Sequence, residues 1–420
     1  MSSGRNLFAV TAASFIGFMG FTLVMPFLPL YFHQLGVDDV GRVAMWSGLS
    51  LGVTPAMTAL LSPLWGRLAD RFGRKIMVER SLVSFVVIMA AMGTVTRPWH
   101  VFALRVVQGV FAGYGALSVA MAADSAPEGG MSQAIGTVQT AQRLGPALGP
   151  VFGGTVAAFV GLRRAFLVAS ACYGIALVLV FVMYDERITH AHANEEAHGG
   201  ASITFRNVLA FENFLLMAVV IFAFQFVDRS FGPVLPLFVA ALGSSAERVA
   251  FMSGLLFSIA AGVGALGHHL CATLLRHRTA LQLVVVASAL TAVGCVGYLT
   301  ASRMSWLFAA TPAFGLAIGF GTTAAYTAAA GVIPPNVRGL GFGLMTTASL
   351  VGMAVSPVLC GLLASASIRA VFALDAVLLV ALAFAVHHLG EGTDSQLPAT
   401  DSARSTKAAE LEMDAVSNVS

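Results

Sequence analysis

Apolar stretches of roughly 20 residues recur twelve times along this 420-residue chain, and each is long enough to cross a hydrocarbon core of about 30 Å as a helix. The spans run approximately over 8–32, 44–65, 76–95, 99–122, 133–160, 164–184, 211–239, 249–271, 279–300, 305–331, 339–366 and 369–389. With 57% hydrophobic residues, 10% charged residues and a mean hydropathy of +0.84, the chain has too much apolar surface to hide inside a water-soluble globule. Lipid is therefore its expected solvent. The first apolar run outlasts a signal-peptide core and lacks a small-residue cleavage pattern, so it reads as the first span.

The formal charge of +3 is too small and too dispersed to suggest nucleic-acid binding. Placement of Lys and Arg is more informative. With both termini in the cytoplasm, 13 of the 23 basic residues fall in cytoplasmic segments and seven on the other side, leaving Arg105, Arg143 and Arg229 within the bilayer. That bias predicts cytoplasmic termini. Cys172, Cys271, Cys295 and Cys360 sit inside spans without paired or metal-type spacing and read as small packing residues.

The chain also repeats itself at an offset of 206 to 207 residues. Pro26-Phe-Leu-Pro-Leu-Tyr31 returns as Pro233-Val-Leu-Pro-Leu-Phe238, and the run from Arg42 to Leu49 returns from Arg248 to Leu255. In span 5, Pro127, Gly136, Ala141, Gly145, Pro150 and Gly154 map onto Pro334, Gly343, Ala348, Gly352, Pro357 and Gly361 of span 11. A duplicated six-helix unit explains this, and parallel repeats place a substrate path at their shared interface. The expected architecture is all-α: a bundle over 1–184, a polar cytoplasmic linker over 185–206, a second bundle over 207–389 and a disordered cytoplasmic tail over 390–420. His190, His192 and His198 lie in the Ala- and Gly-rich linker, and solvated chain is the preferred reading over a metal site.

Between spans 2 and 3 stands Gly66-Arg-Leu-Ala-Asp-Arg-Phe-Gly-Arg-Lys75, too charged for lipid and too short for a domain. Its glycines permit a tight turn, while Asp70 and the arginines can form a charge cluster that breaks when the cytoplasmic side opens. The decapeptide resembles the loop motif of the major facilitator superfamily at Gly66, Asp70, Arg71, Gly73, Arg74 and Lys75. The resemblance implies that Asp70 and Arg74 latch the cytoplasmic side with an acid at the end of span 4, where Asp124 stands. In the second half, Asp70 maps to Arg276, so the latch is expected in one half only.

Span 5 carries Gly136, Gly145, Gly149-Pro150 and Gly153-Gly154. This is similar to the pattern of the superfamily's exporters, in particular its drug:proton antiporters. Small residues at these intervals allow close helix approach, and Pro150 removes a backbone hydrogen bond. Leu104-Arg105-Val-Val-Gln108-Gly109 resembles the superfamily's span-4 motif, whose arginine is linked to proton transfer; snorkelling towards the surface is the alternative for Arg105.

A proton-driven carrier needs a titratable carboxylate within the bilayer. Span 1 has none, whereas Asp228 in span 7 lies about 15 residues, or roughly 22 Å, from the cytoplasmic end. Asp228 is the expected proton carrier with Arg105 or Arg229 as modulator; a structural Asp228–Arg pair is the other reading. Asp375 is a weaker candidate, because span 12 is peripheral in the family. Gln139, Gln142, Arg143 and Pro146 share one face of span 5 and form a polar stripe towards a central cavity. Phe21, Met25, Gln108, Tyr114, Phe224, Gln225, Phe320 and Tyr326 are candidates for the rest of its wall, with helix packing or lipid contact as the alternative for each aromatic.

The resulting expectation is a monomeric transporter in the inner (plasma) membrane, without cofactor or metal, that exports small amphipathic or hydrophobic compounds in exchange for protons. Proton-coupled uptake of a sugar or organic acid is the second reading. A membrane enzyme or sensor is the third, and no nucleophile–base pair, metal spacing or phosphate loop in the sequence supports it.

Overall fold

The computed structural model describes residues 2–127, 130–186, 213–333 and 338–394. Of the expected linker, only Asp185 and Glu186 are among them; the linker histidines, Pro334 and the tail beyond Asp394 lie outside the described residues. Among the described residues there are fourteen major helices and no strand. In the first half these are α1 (Ser2–Leu23), α2 (Leu28–Gln34), α3 (Val40–Phe72), α4 (Arg74–Met92), α5 (Pro98–Val110), α6 (Tyr114–Asp124), α7 (Met131–Val160) and α8 (Leu162–Met183). The second half contains α9 (Phe214–Ala241), α10 (Ala246–Leu274), α11 (Ala280–Thr300), α12 (Met304–Val332), α13 (Arg338–Ala364) and α14 (Ile368–Asp394).

Twelve spans result, because α1 with α2, and α5 with α6, each form one span broken in the middle. Among the described residues, ten segments meet the length and hydropathy of a membrane crossing. Span 3 (α4) falls short because Arg74, Lys75, Glu79 and Arg80 crowd its first turns, and span 5 (α7) because its face is rich in Gln, Thr and Gly.

Local signals set the helix ends. Asp39 caps α3 by accepting from the Arg42 amide at 2.8 Å, and Thr279 caps α11 through Gln282 at 3.3 Å. Gly73 reverses the chain between α3 and α4 at φ 95°, in the region that favours glycine.

Two apolar cores form. One draws on residues from Ala9 to Tyr184, the other on residues from Phe214 to Val386, and each borrows a single alanine from the opposite half. The halves meet mainly where α3 packs on α13 and α7 on α10.

Candidate transport site and gates

The cross-half seal shows what the repeat does in three dimensions. A methyl group added at Gly48 would overlap the Pro357 carbonyl oxygen, and one at Gly254 would overlap that of Pro150. Gly361 approaches Ala44 in the same way that Gly154 approaches Ala250. Each residue of the first contact set lies 206 or 207 positions from its counterpart in the second, so one packing solution is used twice. Val151 N donates to Ser258 Oγ at 3.0 Å and adds a polar tie. These approaches fall in residues 41–52, 150–154, 250–258 and 354–365, all towards one face of the molecule. The opposite face carries the 66–75 loop and Asp124. Within α7, Gly145, Gly149 and Gly153 pack instead on α1, against Phe15, Met19, Thr22 and Leu23.

A cavity of about 450 Å³ lies between the halves. Phe18, Phe21 and Met25 line it from span 1; Leu51, Thr54, Pro55, Thr58 and Ser62 from α3; Arg105, Gln108 and residues 112–116 from span 4. The second half contributes Arg229, Thr346, Leu350, Met353 and Pro357. Of the sequence candidates, Phe21, Met25, Gln108 and Tyr114 are therefore in the wall, together with Arg105 and Arg229. The others lie elsewhere. Phe224 is buried in the second-half core, Phe320 lines a separate apolar groove beside Val293 and Trp306, and Tyr326 packs against the same core. Gln225 is half-buried on α9, near Gly352 of α13. Gln142 donates to the Gly115 carbonyl at 3.0 Å, bracing span 4, whereas Gln139, Arg143 and Gly136 are exposed. Arg143 faces His268 of α10, whose Nδ1 is 2.7 Å from Thr323 Oγ1.

Span 4 is not the continuous helix expected over 99–122. It stops at Val110 and restarts at Tyr114, with Gly113 at φ 124°. A break at membrane depth frees carbonyls that need donors. Trp65 Nε1 serves Val110 at 2.7 Å and Arg80 Nη2 serves Phe111 at 3.1 Å, while the Arg80 guanidinium stacks 3.5 Å from the Trp65 ring. Arg80, grouped in the sequence with the cytoplasmic basic residues, is thus a structural brace inside α4. The pairing of an Arg in α4 with a Trp in α3 is a tertiary matter that spacing along the chain does not reveal.

Arg105 is 2% exposed and donates from Nη1 to Gln108 Oε1 at 2.9 Å. Thr54 Oγ1 donates to its carbonyl at 3.0 Å, tying span 4 to α3. Asp228 pairs with its neighbour Arg229 at 3.3 Å, and no ion pair joins Asp228 to Arg105 among the described residues. Asp375, the weaker of the two candidate acids by sequence, is fully buried on span 12. It accepts from Ser230 Oγ of α9 at 2.5 Å and has no ion pair among the described residues. An intramembrane acid turned inward is a functional candidate in its own right.

At the loop face, Arg74 Nη1 bonds Asp124 Oδ2 and the Ala120 carbonyl at the end of α6. Lys75 reaches the last carbonyls of α8, with Tyr184 at 2.6 Å, and its amide meets Glu186 at 3.2 Å. These ties stay within the first half. Asp70 and Gly66 are exposed; Asp70 has no ion pair among the described residues, and Arg71 lies over the Phe72 ring. Replacing Asp124 with Ala is expected to lower thermal stability by about 1 kcal/mol, because the pair is half-exposed and charge-assisted. The Arg74→Asp/Asp124→Arg exchange should restore part of the loss in a melting experiment. No recovery would mean that the backbone bond to Ala120 carries the tie.

Twelve spans in two related bundles around a central cavity define the architecture of a secondary transporter. The family model of the Major Facilitator Superfamily matches residues 10–311 and again 280–411, and the chain belongs to that superfamily. It is 35% identical over 262 residues to the multidrug resistance protein MdtG of Serratia proteamaculans (strain 568), covering 62% of this chain and 63% of that protein. MdtG of Salmonella paratyphi A is likewise 35% identical over 263 residues, covering 62% of this chain and 64% of its own. The chain thus matches less than two thirds of the length of these relatives. Among solved structures, a bacterial homolog of the human lysosomal transporter Spinster, inward-facing and unoccupied, superposes with a TM-score of 0.75 at 16% identity, covering 92% of this chain and 97% of that one. The nucleoside transporter NupG superposes with a TM-score of 0.68 at 15% identity over 91% of this chain and 99% of its own.

Proposed function

We propose that this chain exports small amphipathic or hydrophobic compounds in exchange for protons, by alternating access, as a monomer in the inner (plasma) membrane with both termini in the cytoplasm. The observation that carries the reading is a largely apolar cavity between two bundles whose tight contacts, among the described residues, lie towards one face. With the 66–75 loop on the cytoplasmic side, that conformation is inward-facing, loaded from the cytoplasm or the inner leaflet. Rocking the halves about the cavity opens the other side. The α7 glycines that serve both the α1 packing and the seal follow the exporter pattern, and the MdtG relatives bear a multidrug-resistance name. Asp228, paired with Arg229 beside the cavity, is the proposed proton carrier, and Arg105, which lines the same cavity as Arg229, is the proposed modulator.

Inverted vesicles test the proposal. Vesicles containing the protein are expected to accumulate an amphipathic fluorescent probe when their lumen is acidified, and to release it on addition of a protonophore. Accumulation that ignores the protonophore, or transport only in the opposite direction, would overturn the assignment.

A further inference from the structure

The first-half wall of the cavity gathers donors and positive charge without a compensating acid. The break in span 4 leaves α6 starting at Tyr114 with no side-chain cap, and Gly113, Tyr114, Gly115 and Ala116 all line the cavity. The first amides of a helix have no intrahelical acceptor, and the helix dipole adds partial positive charge there, so such an end favours an anion.

Independent observations point the same way. Among the described residues, Arg105, 2% exposed, finds no acceptor for its Nε; Gln108, fully buried, has its Nε2 unpaired; and Tyr173, 1% exposed, has a hydroxyl with no partner. All three belong to the cavity lining. Asp228 lies beside Arg229, the other charged lining residue, whereas Arg105 has no ion pair among the described residues. Among the described residues the lining contains no Asp or Glu. A buried guanidinium with unused donors is costly in a low-dielectric interior until a negative group joins it. The rest of the wall, including Phe21, Met25, Leu350 and Met353, is apolar.

We propose that the cavity is a receptor for soluble amphipathic organic monoanions. A carboxylate or sulfonate sits on the amino end of α6 and Arg105, within reach of Gln108 and Tyr173, and the apolar body lies between span 1 and α13. This names the substrate class of the exporter proposed above and rests on that reading for transport, though not for binding.

The test is equilibrium binding of three radiolabelled probes to the full chain in phosphatidylcholine nanodiscs: naphthylacetate, its neutral near-isostere naphthylacetamide, and naphthylmethyl-trimethylammonium. Naphthylacetate should bind about tenfold tighter than the amide, as expected for hydrogen bonds to a charged group, and the cation should bind more weakly than either. Arg105→Gln should remove the tenfold preference, so that naphthylacetate and naphthylacetamide bind alike. Tyr173→Phe, which alters no charge and keeps the ring, should reduce it about threefold and serves as the readout should the arginine variant fail to fold. Equal binding of cation and anion, or a preference unaffected by Tyr173→Phe, would overturn the site. Displacement of naphthylacetate by a small fraction of phosphatidylglycerol would overturn its assignment to a soluble anion in favour of a lipid headgroup. Anion binding without movement of any probe in inverted vesicles would sink the transport reading and leave this site standing; proton-driven movement without anion preference would do the reverse.

Discussion

Replacing both Gly48 and Gly254 with alanine is expected to open the sealed face and to hold the molecule in the opposite state. Each new methyl group would collide with a backbone carbonyl of the other half, Pro357 in one case and Pro150 in the other, and a backbone atom cannot swing aside as a side chain can. Overpacking of this kind costs about 1–3 kcal/mol per site, so the ratio of sealed to open molecules should fall at least about tenfold. Spin labels at Arg42 and Ser367, both exposed near the sealed face, should report a longer distance, and transport should fall in proportion to the loss of the sealed state. Gly153→Ala is the control. Its methyl group would meet the Leu23 carbonyl within the same half, which penalises both states alike. It should lower thermal stability without lengthening the label distance. An unchanged distance in the double variant would show that the glycine contacts do not set the conformational equilibrium.

The second large effect is expected at Asp228. Asparagine preserves size but gives up the charge paired with Arg229 and has no titratable proton, so pH-driven accumulation should drop about 100-fold, about 2.7 kcal/mol on the coupled step. Exchange of labelled for unlabelled substrate at equal pH should persist, because it needs the cavity and the rocking motion and no proton. Asp375→Asn is the matched comparison: it keeps an acceptor for Ser230, and transport should survive. If Asp375→Asn uncouples transport while Asp228→Asn does not, the proton carrier is the buried acid between α9 and α14. Retention of pH-driven transport in both variants would show that neither Asp228 nor Asp375 by itself is required for the coupling step.

Several features of the fold were legible because they depend on a local quantity. A run of about 20 apolar residues must be a span, whatever surrounds it, and a repeat offset reports duplication without a structure. The glycines at 48, 154, 254 and 361 were visible as members of that repeat. Spacing could show that they pack closely, but not that they pack on each other across the two halves. The break at residues 111–113 was missed because hydropathy is indifferent to it. What stabilises it is Trp65 and Arg80, 45 and 31 residues from the carbonyls they serve. The burial of Asp375 was not legible for a related reason: a helix sequence gives depth through its 1.5 Å rise, whereas its rotation about its axis is set by its neighbours.

By itself, then, the sequence determined the all-helical class, the twelve spans, the duplication and the superfamily, because in lipid these follow from hydropathy and from the need to satisfy each backbone within its own segment. The tertiary structure alone decided which polar atoms meet: Arg74 with Asp124, Asp228 with Arg229, Asp375 with Ser230, and the uncapped end of α6 beside Arg105 at the cavity. Apart from the adjacent Asp228 and Arg229, these groups lie far apart along the chain or on different helices. Only the azimuth and tilt imposed by packing bring them within bonding distance or leave them unpaired.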